Sequence, residues 1–225
     1  MPTLSESAIV SLLTPYLTPP SEILPKLSLY LDLLLKWNAR TNLTAIRDPE
    51  EIVRRHFGES LFAGEHIGQS DQLPHTLLDL GSGAGFPGLP IAILHPEIRV
   101  TLAESQNKKS TFLREAVRTL SLQNVEIWPA RAESMPPARQ FHTVTMRAVD
   151  NMAAAIAAAT PRATHQLLLL TGASPTLPPE FTPEPPIAIP NTQTSILLLA
   201  TRTSMFHVEH RKPATQNGVT VIKTR

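Results

Sequence analysis

Hydrophobic positions in the first 65 residues or so follow a helical period. Leu27, Tyr30, Leu31, Leu34 and Leu35 recur three and four residues apart, which puts them on one face of a helix. Ser21 is a cap-type residue just ahead of that helix. Residues 48–61 predict another helix, with Pro49 at its first position and Glu50 and Glu51 near the positive end of its dipole. No strand signature appears in this stretch.

From Thr76 onward the pattern changes. Residues 76–80 are a short apolar run that ends in a glycine cluster, as a buried strand does. Residues 89–94 form a short helix that must stop near His95-Pro96, because the residue before a proline avoids helical angles. Further strands are expected at 99–103, 125–128, 143–146, 166–170 and 196–200. Helices are expected at 107–120, with Phe112, Leu113, Ala116, Val117 and Leu120 inward, and at the alanine-rich 151–160. Between Gly172 and Pro190 stand seven prolines, a density that no regular helix survives, so an extended loop is expected there. Strands alternating with helices imply parallel βαβ units with right-handed crossovers. The expected fold class is therefore α/β, a Rossmann-like, doubly wound, mostly parallel sheet with a small helical N-terminal lobe. The expected division is a lobe over 1–66, a core over 67–205 and a basic tail over 206–225.

Composition narrows the chemistry. The chain has no cysteine, which removes thiolate metal sites, disulfides and cysteine nucleophiles, and fits a reducing cytoplasm as the expected location. No apolar run reaches the ~20 residues that would cross a bilayer, and residues 1–17 lack the basic region and apolar block of a signal peptide, so none is expected there. A net charge of +1 does not by itself announce a nucleic-acid partner. Beyond Thr201, Arg202, Arg211, Lys212, Lys223 and Arg225 face a single acid, Glu209, which reads as a solvated tail. His207 and His210 lack a third anchored ligand, so no metal is expected.

The candidate site starts at Asp79-Leu80-Gly81-Ser82-Gly83-Ala84-Gly85-Phe86-Pro87-Gly88, between a buried strand and a helix. Glycines there permit positive φ, let a ligand approach the backbone and present amides at a helix N-terminus. A dinucleotide fingerprint would need a glycine where Phe86 stands, so the turn suits a ligand without a pyrophosphate, with an amino-acid moiety against it. A merely tight strand–helix connection is the plainer alternative. Glu104, about 20 residues on at the end of the second strand, can accept from both hydroxyls of a ribose, or serve as a helix-start acid. Arg131-Ala132-Glu133 follows the third strand, where this topology places an adenine. Arg147 ends the fourth strand and could pair with a donor carboxylate, an RNA phosphate or an acid such as Asp150.

These residues, with Lys36-Trp37-Asn38, Asn42-Leu43-Thr44, Arg55-His56, Lys108-Lys109, Phe112-Leu113 and Arg147-Ala148-Val149 in order, resemble the ribosomal RNA small subunit methyltransferase G family, also called glucose-inhibited division protein B. The resemblance runs from about Leu33 to Met152, more weakly to about Ala200. It implies a Rossmann-type enzyme that moves a methyl group from S-adenosylmethionine to N7 of one guanine in 16S rRNA of the small ribosomal subunit. It implies cofactor contacts from Gly81, Phe86, Ala132, Glu133 and Arg147, beside the Gly83 and Glu104 read from the turn, and RNA contacts from Arg55, His56 and Lys108. An oligomer is not expected. Three departures stand out: Glu59-Ser60 where the family commonly has Asp-Ser, Glu104 in place of an aspartate, and Thr171-Gly172 in place of Lys-Gly.

The chemistry agrees with that implication. Cysteine-dependent pyrimidine methylation is excluded. The loop after the fourth strand reads Arg147-Ala148-Val149-Asp150, without the Asn/Asp-Pro-Pro-aromatic pattern of adenine-amine methylation. Guanine N7 carries a lone pair and no proton, so its methylation needs positioning at ~3–3.5 Å and no general base. A small-molecule methyltransferase, or a non-catalytic RNA- or cofactor-binding protein on the same fold, are the competing readings.

Overall fold

The computed structural model describes residues 2–67, 75–148 and 151–203. The chain opens with α1 (Glu6–Leu13), capped by the Ser5 hydroxyl on the Ala8 amide. A 3-10 turn over Ser21–Ile23 leads into α2 (Leu24–Thr41), which carries Pro25 in its first turn and stops at Asn42 in the left-handed region. Ser21 therefore does not cap α2: it lies inside the 3-10 turn and makes no capping bond. The expected helix over 48–61 runs longer and is not uniform. It begins as α3 (Pro49–Glu51) under an Asp48 cap, widens into a π-helical stretch over Ile52–Gly58, and ends as α4 (Glu59–Glu65). Gly58 lies in the π-helical stretch, where any Cβ would meet the Tyr16 ring at 2.6–2.9 Å.

The sheet follows: β1 (Thr76–Leu80), α5 (Gly88–Leu94), β2 (Arg99–Ala103), α6 (Asn107–Thr119), β3 (Val125–Trp128), β4 (Phe141–Arg147), α7 (Met152–Ala159) and β5 (Ala163–Thr171). Then come β6 (Phe181–Pro183), β7 (Ile187–Ala188) and β8 (Ile196–Arg202). The spatial order is β3-β2-β1-β4-β5-β8-β6, with β7 also on β8. β1 to β5 are parallel and β8 runs antiparallel to β5. The order reverses between β1 and β4, the place where doubly wound sheets open a crevice at their carboxyl ends.

The proline-rich stretch holds no helix, as its composition suggests, but it is not loop throughout. β6 and β7 pair with β8 as two short pieces of one edge strand, with Pro183 opposite Ala200. Proline is tolerated there because an outermost strand need not donate outward, and the gaps it leaves discourage further pairing.

Both faces of the sheet are covered, which explains the unbroken apolar strands. Along β5, Leu167 and Leu169 face the core under α7, whereas Leu168 and Leu170 pack with Tyr16, Ala63 and Ile189 on the other side. The helical lobe shares its core with the sheet: Leu27, Leu31, Leu34, Ile52, Phe57 and Leu61 pack in one cluster with Leu77, Leu89, Leu102 and Phe112. Tyr30, fully buried, sits at the junction, stacked on Phe57 at 5.1 Å and on Phe86 at 5.4 Å. Its hydroxyl donates to the Ala84 carbonyl. Tyr30→Phe keeps the stack and strips that carbonyl of its donor, so a loss of about 1–2 kcal/mol is expected in urea unfolding, with the far-ultraviolet spectrum unchanged.

Candidate functional site

The glycine turn at the carboxyl end of β1 is built from backbone in the left-handed region: Gly81, Gly83 and Gly85 have φ of 75°, 59° and 94°. Gly81 and Ser82 donate their amides to the Ala103 carbonyl at the end of β2, so the turn is pinned across two strands. Above Gly83 the space is open, with only the Gly81 carbonyl within 4 Å of a built Cβ. Gly85 and Gly88 serve packing instead. A Cβ on Gly85 would lie 2.7 Å from the Tyr30 hydroxyl, and one on Gly88 would lie 2.7 Å from Asp79 Oδ2.

Asp79 is buried under the turn, and its Oδ2 accepts the Gly88 amide at 3.1 Å. Its Oδ1 has no partner among the described residues. Burial pushes this carboxyl up to about 7, with the Gly88 hydrogen bond opposing the shift. Glu104 is also buried and clamps the turn from the next strand. Its Oε2 accepts the Gly83 amide at 2.9 Å and its Oε1 accepts the Gln106 amide at 2.7 Å. Each carboxylate oxygen keeps a further acceptor position. Of the two roles the sequence left open, the contact with the Gln106 amide supports the start of α6, and the bond to Gly83 holds the carboxylate against the turn.

Past β3, Ala132 is buried and Glu133 exposed in a short 3-10 turn. The Arg131 carbonyl receives both Trp128 Nε1 and Ser134 Oγ, which holds that turn against the strand. Phe86 is buried between Tyr30 and His56, its ring 4.7 Å from the imidazole. The structure therefore places Gly81, Gly83 and Phe86 on one turn held by Glu104, with Ala132 and Glu133 in the loop after β3 beside β2.

The lobe contributes the other wall. Asn38 fastens the loop after α2 by donating to the Ile46 carbonyl and accepting the Thr44 amide. Thr44 Oγ1 accepts the Ile46 amide and lies 2.7 Å from His56 Nε2. His56 Nδ1, buried, has no partner among the described residues. Burial first, then the Arg147 and Arg55 charges, lower His56 to about 3. His56 is consequently a neutral ring backing Phe86 rather than a surface cation.

Arg147 does not need Asp150, which lies outside the described residues together with Val149. It reaches across to the lobe and donates to Glu59 Oε2 and to the Arg55 carbonyl, both at 2.9 Å. Arg55 Nε holds the other Glu59 oxygen at 2.8 Å. Glu59, with its side chain 4% exposed, thus bridges one buried and one half-exposed guanidinium. Lys108 stands exposed on the first turn of α6, and Trp37 is half-buried, edge-on to Phe112. His207, His210 and the basic tail lie outside the described residues. No helix among the described residues is long and apolar enough to cross a membrane.

The sequence names Tyr30, Asp79 and Glu59 but assigns none of them a contact at the site. Tyr30 carried one signal, a hydroxyl in a stripe of leucines that must find a buried partner. The pairing of Glu59 with Arg147 had no local signal, because the two are 88 residues apart.

The sequence model described as rRNA small subunit methyltransferase G matches residues 23–178. The ribosomal RNA small subunit methyltransferase G of Xanthomonas campestris pv. campestris (strain B100) is 46% identical over 128 residues, and that of Stenotrophomonas maltophilia (strain K279a) is 46% identical over 129. The alignments cover 57% of this chain and 58% of each of those relatives. Among solved structures, magnesium protoporphyrin IX methyltransferase from Synechocystis PCC 6803 superposes with a TM-score of 0.56 at 14% identity, over 77% of this chain and 100% of that one. A SAM dependent methyltransferase from Aquifex aeolicus gives 0.52 at 15% identity, over 72% and 96%. These likenesses show that the chain shares the α/β fold of those two proteins.

Opposed pH dependences follow from Asp79 and His56. His56 is depressed on folding, so its contribution to stability is lost as pH falls below about 6.5. Asp79 is raised on folding, so it favours the native state as pH falls from about 7 towards the ordinary carboxylate range. Asp79→Asn removes the opposing group, and its urea midpoint is expected to drop more steeply than wild type between pH 7 and 5. Parallel curves would disprove the assignment.

Proposed function

Because the chain belongs to the rRNA small subunit methyltransferase G family, we propose that it binds S-adenosylmethionine at the glycine turn and methylates N7 of a guanine in 16S rRNA of the small ribosomal subunit. The observation that carries the reading is the open space above Gly83, whose amide the Glu104 carboxylate accepts, with the unpartnered Asp79 Oδ1 buried under the same turn. That cradle fits an amino acid joined to a nucleoside. Asp79 would accept from the ammonium group, Gly81 and Gly83 would present their backbone to the amino-acid moiety, and Glu104 would take the ribose hydroxyls. Ala132 and Glu133 would flank the adenine, while Phe86, backed by His56, would close the cradle beside Arg147. The donor, when bound, supplies an electrophilic methyl group on a sulfonium. The chain's own task is then to exclude water and hold N7 in line, for which the buried walls around Phe86 suffice without a proton acceptor.

The approach of RNA is supported by cations beside the cradle. Lys108 is exposed near the start of α6, and Lys36 and Arg40 border a hollow of about 140 Å³ around Trp37 on α2. Arg55 is half-exposed at the lobe's edge and would face a phosphate.

Purified protein is expected to move labelled methyl from S-adenosylmethionine into small subunits from cells lacking the gene, and mass mapping is expected to find 7-methylguanosine in 16S rRNA. Transfer only to metabolite extracts, or donor binding with no transfer to any ribosomal substrate, would refute it. Lys108→Glu is expected to raise KM for the RNA several-fold with kcat nearly unchanged, and to lower the salt dependence of binding by about one phosphate contact.

A further inference from the structure

A cavity of about 280 Å³ opens at the carboxyl ends of β4 and β5, on the side of Arg147 away from β2. The π-helical stretch brings Arg55 to its rim, and Glu59 from the start of α4 lines it together with Arg147. Met152, Leu170 and Ile189 add apolar wall. Ile189 belongs to the proline-rich stretch beyond the matched residues 23–178, so part of this wall comes from outside the family's matched region. π-helical turns commonly mark functional positions, because they re-aim side chains that a regular helix would spread.

Resting on the methyltransferase reading above, we infer that this cavity receives the acceptor base and that Glu59 is the residue that selects guanine. An ionised carboxylate has about four acceptor positions. Arg147 and Arg55 occupy one on each Glu59 oxygen, which leaves one on each oxygen for a ligand. Guanine is the RNA base with two adjacent donors on one edge, N1–H and the N2 amine, and that pair matches two carboxylate oxygens. Adenine would turn its N1 lone pair towards the carboxylate, cytosine its N3 lone pair, and uracil offers a single donor. The two guanidiniums hold the carboxylate in one orientation before the base arrives, so little reorganisation accompanies binding. N7 lies on the adjoining edge of the purine, its lone pair roughly at right angles to the N1–H bond. A guanine held by its N1/N2 edge therefore leaves N7 uncovered, free to face the glycine turn one strand over.

The test uses small subunits reconstituted with 16S rRNA that carries either guanosine or inosine at the mapped position. Inosine keeps N7 and N1–H and lacks only the N2 amine. Wild-type kcat/KM is expected to fall about 10- to 100-fold on inosine, the usual discrimination of a bidentate base contact against a base that cannot complete it. Glu59→Gln is expected to be slower on guanosine and to treat the two substrates alike, with thermal melting and donor calorimetry reporting its fold. Equal wild-type rates on guanosine and inosine would overturn the inference whether or not the variant folds. No transfer to either RNA would instead remove the methyltransferase reading, and this inference with it.

Discussion

The contact of Tyr30 with the glycine turn is the constraint on which the rest of the molecule depends. The turn's amides at Gly81 and Ser82 reach the end of β2, but without Tyr30 the buried Ala84 carbonyl would be orphaned. The Tyr30 hydroxyl supplies the missing donor. Its ring, stacked between Phe57 and Phe86, sets how far the helical lobe stands from β1. Gly85 follows as a requirement of the same contact, since a side chain there would collide with the hydroxyl. The lobe is thus part of the floor of the cradle, and the hydrophobic cluster that joins them is continuous.

Charge is managed around this floor in three different ways. Asp79, with one backbone donor, is pushed up towards neutrality by burial. His56 is held neutral by burial and by two nearby guanidiniums. Glu59 is paired directly with both Arg147 and Arg55. A buried ion pair of this kind adds little net stability, since desolvation offsets most of the attraction. What it adds is orientation, tying the end of β4 to a helix of the lobe.

Much of the sheet was legible because the apolar runs at 76–80 and 99–103 are buried on both faces and bounded by glycine or proline. The glycine turn and Glu104 were legible for the same local reason, their spacing along one βαβ unit. The proline-rich stretch was misread because strands of two and three residues bury few side chains and leave no period. The π-helical stretch was hidden as well: Pro49 and the acids after it announce a helix, and nothing local announces that it widens. The role of His56 was equally out of reach, since its solvation depends on Phe86 and Thr44, which come to it from either side.

By itself, the sequence determined the parallel α/β class, the place of the turn and the family, because each rests on short-range pattern and residue type. The tertiary structure decided which charges are paired, which ring is neutral and where a second cavity opens beside the cradle. Those properties arise from burial and from contacts such as Arg147–Glu59 and Tyr30–Ala84, whose partners lie 88 and 54 residues apart and meet only when the lobe closes on the sheet.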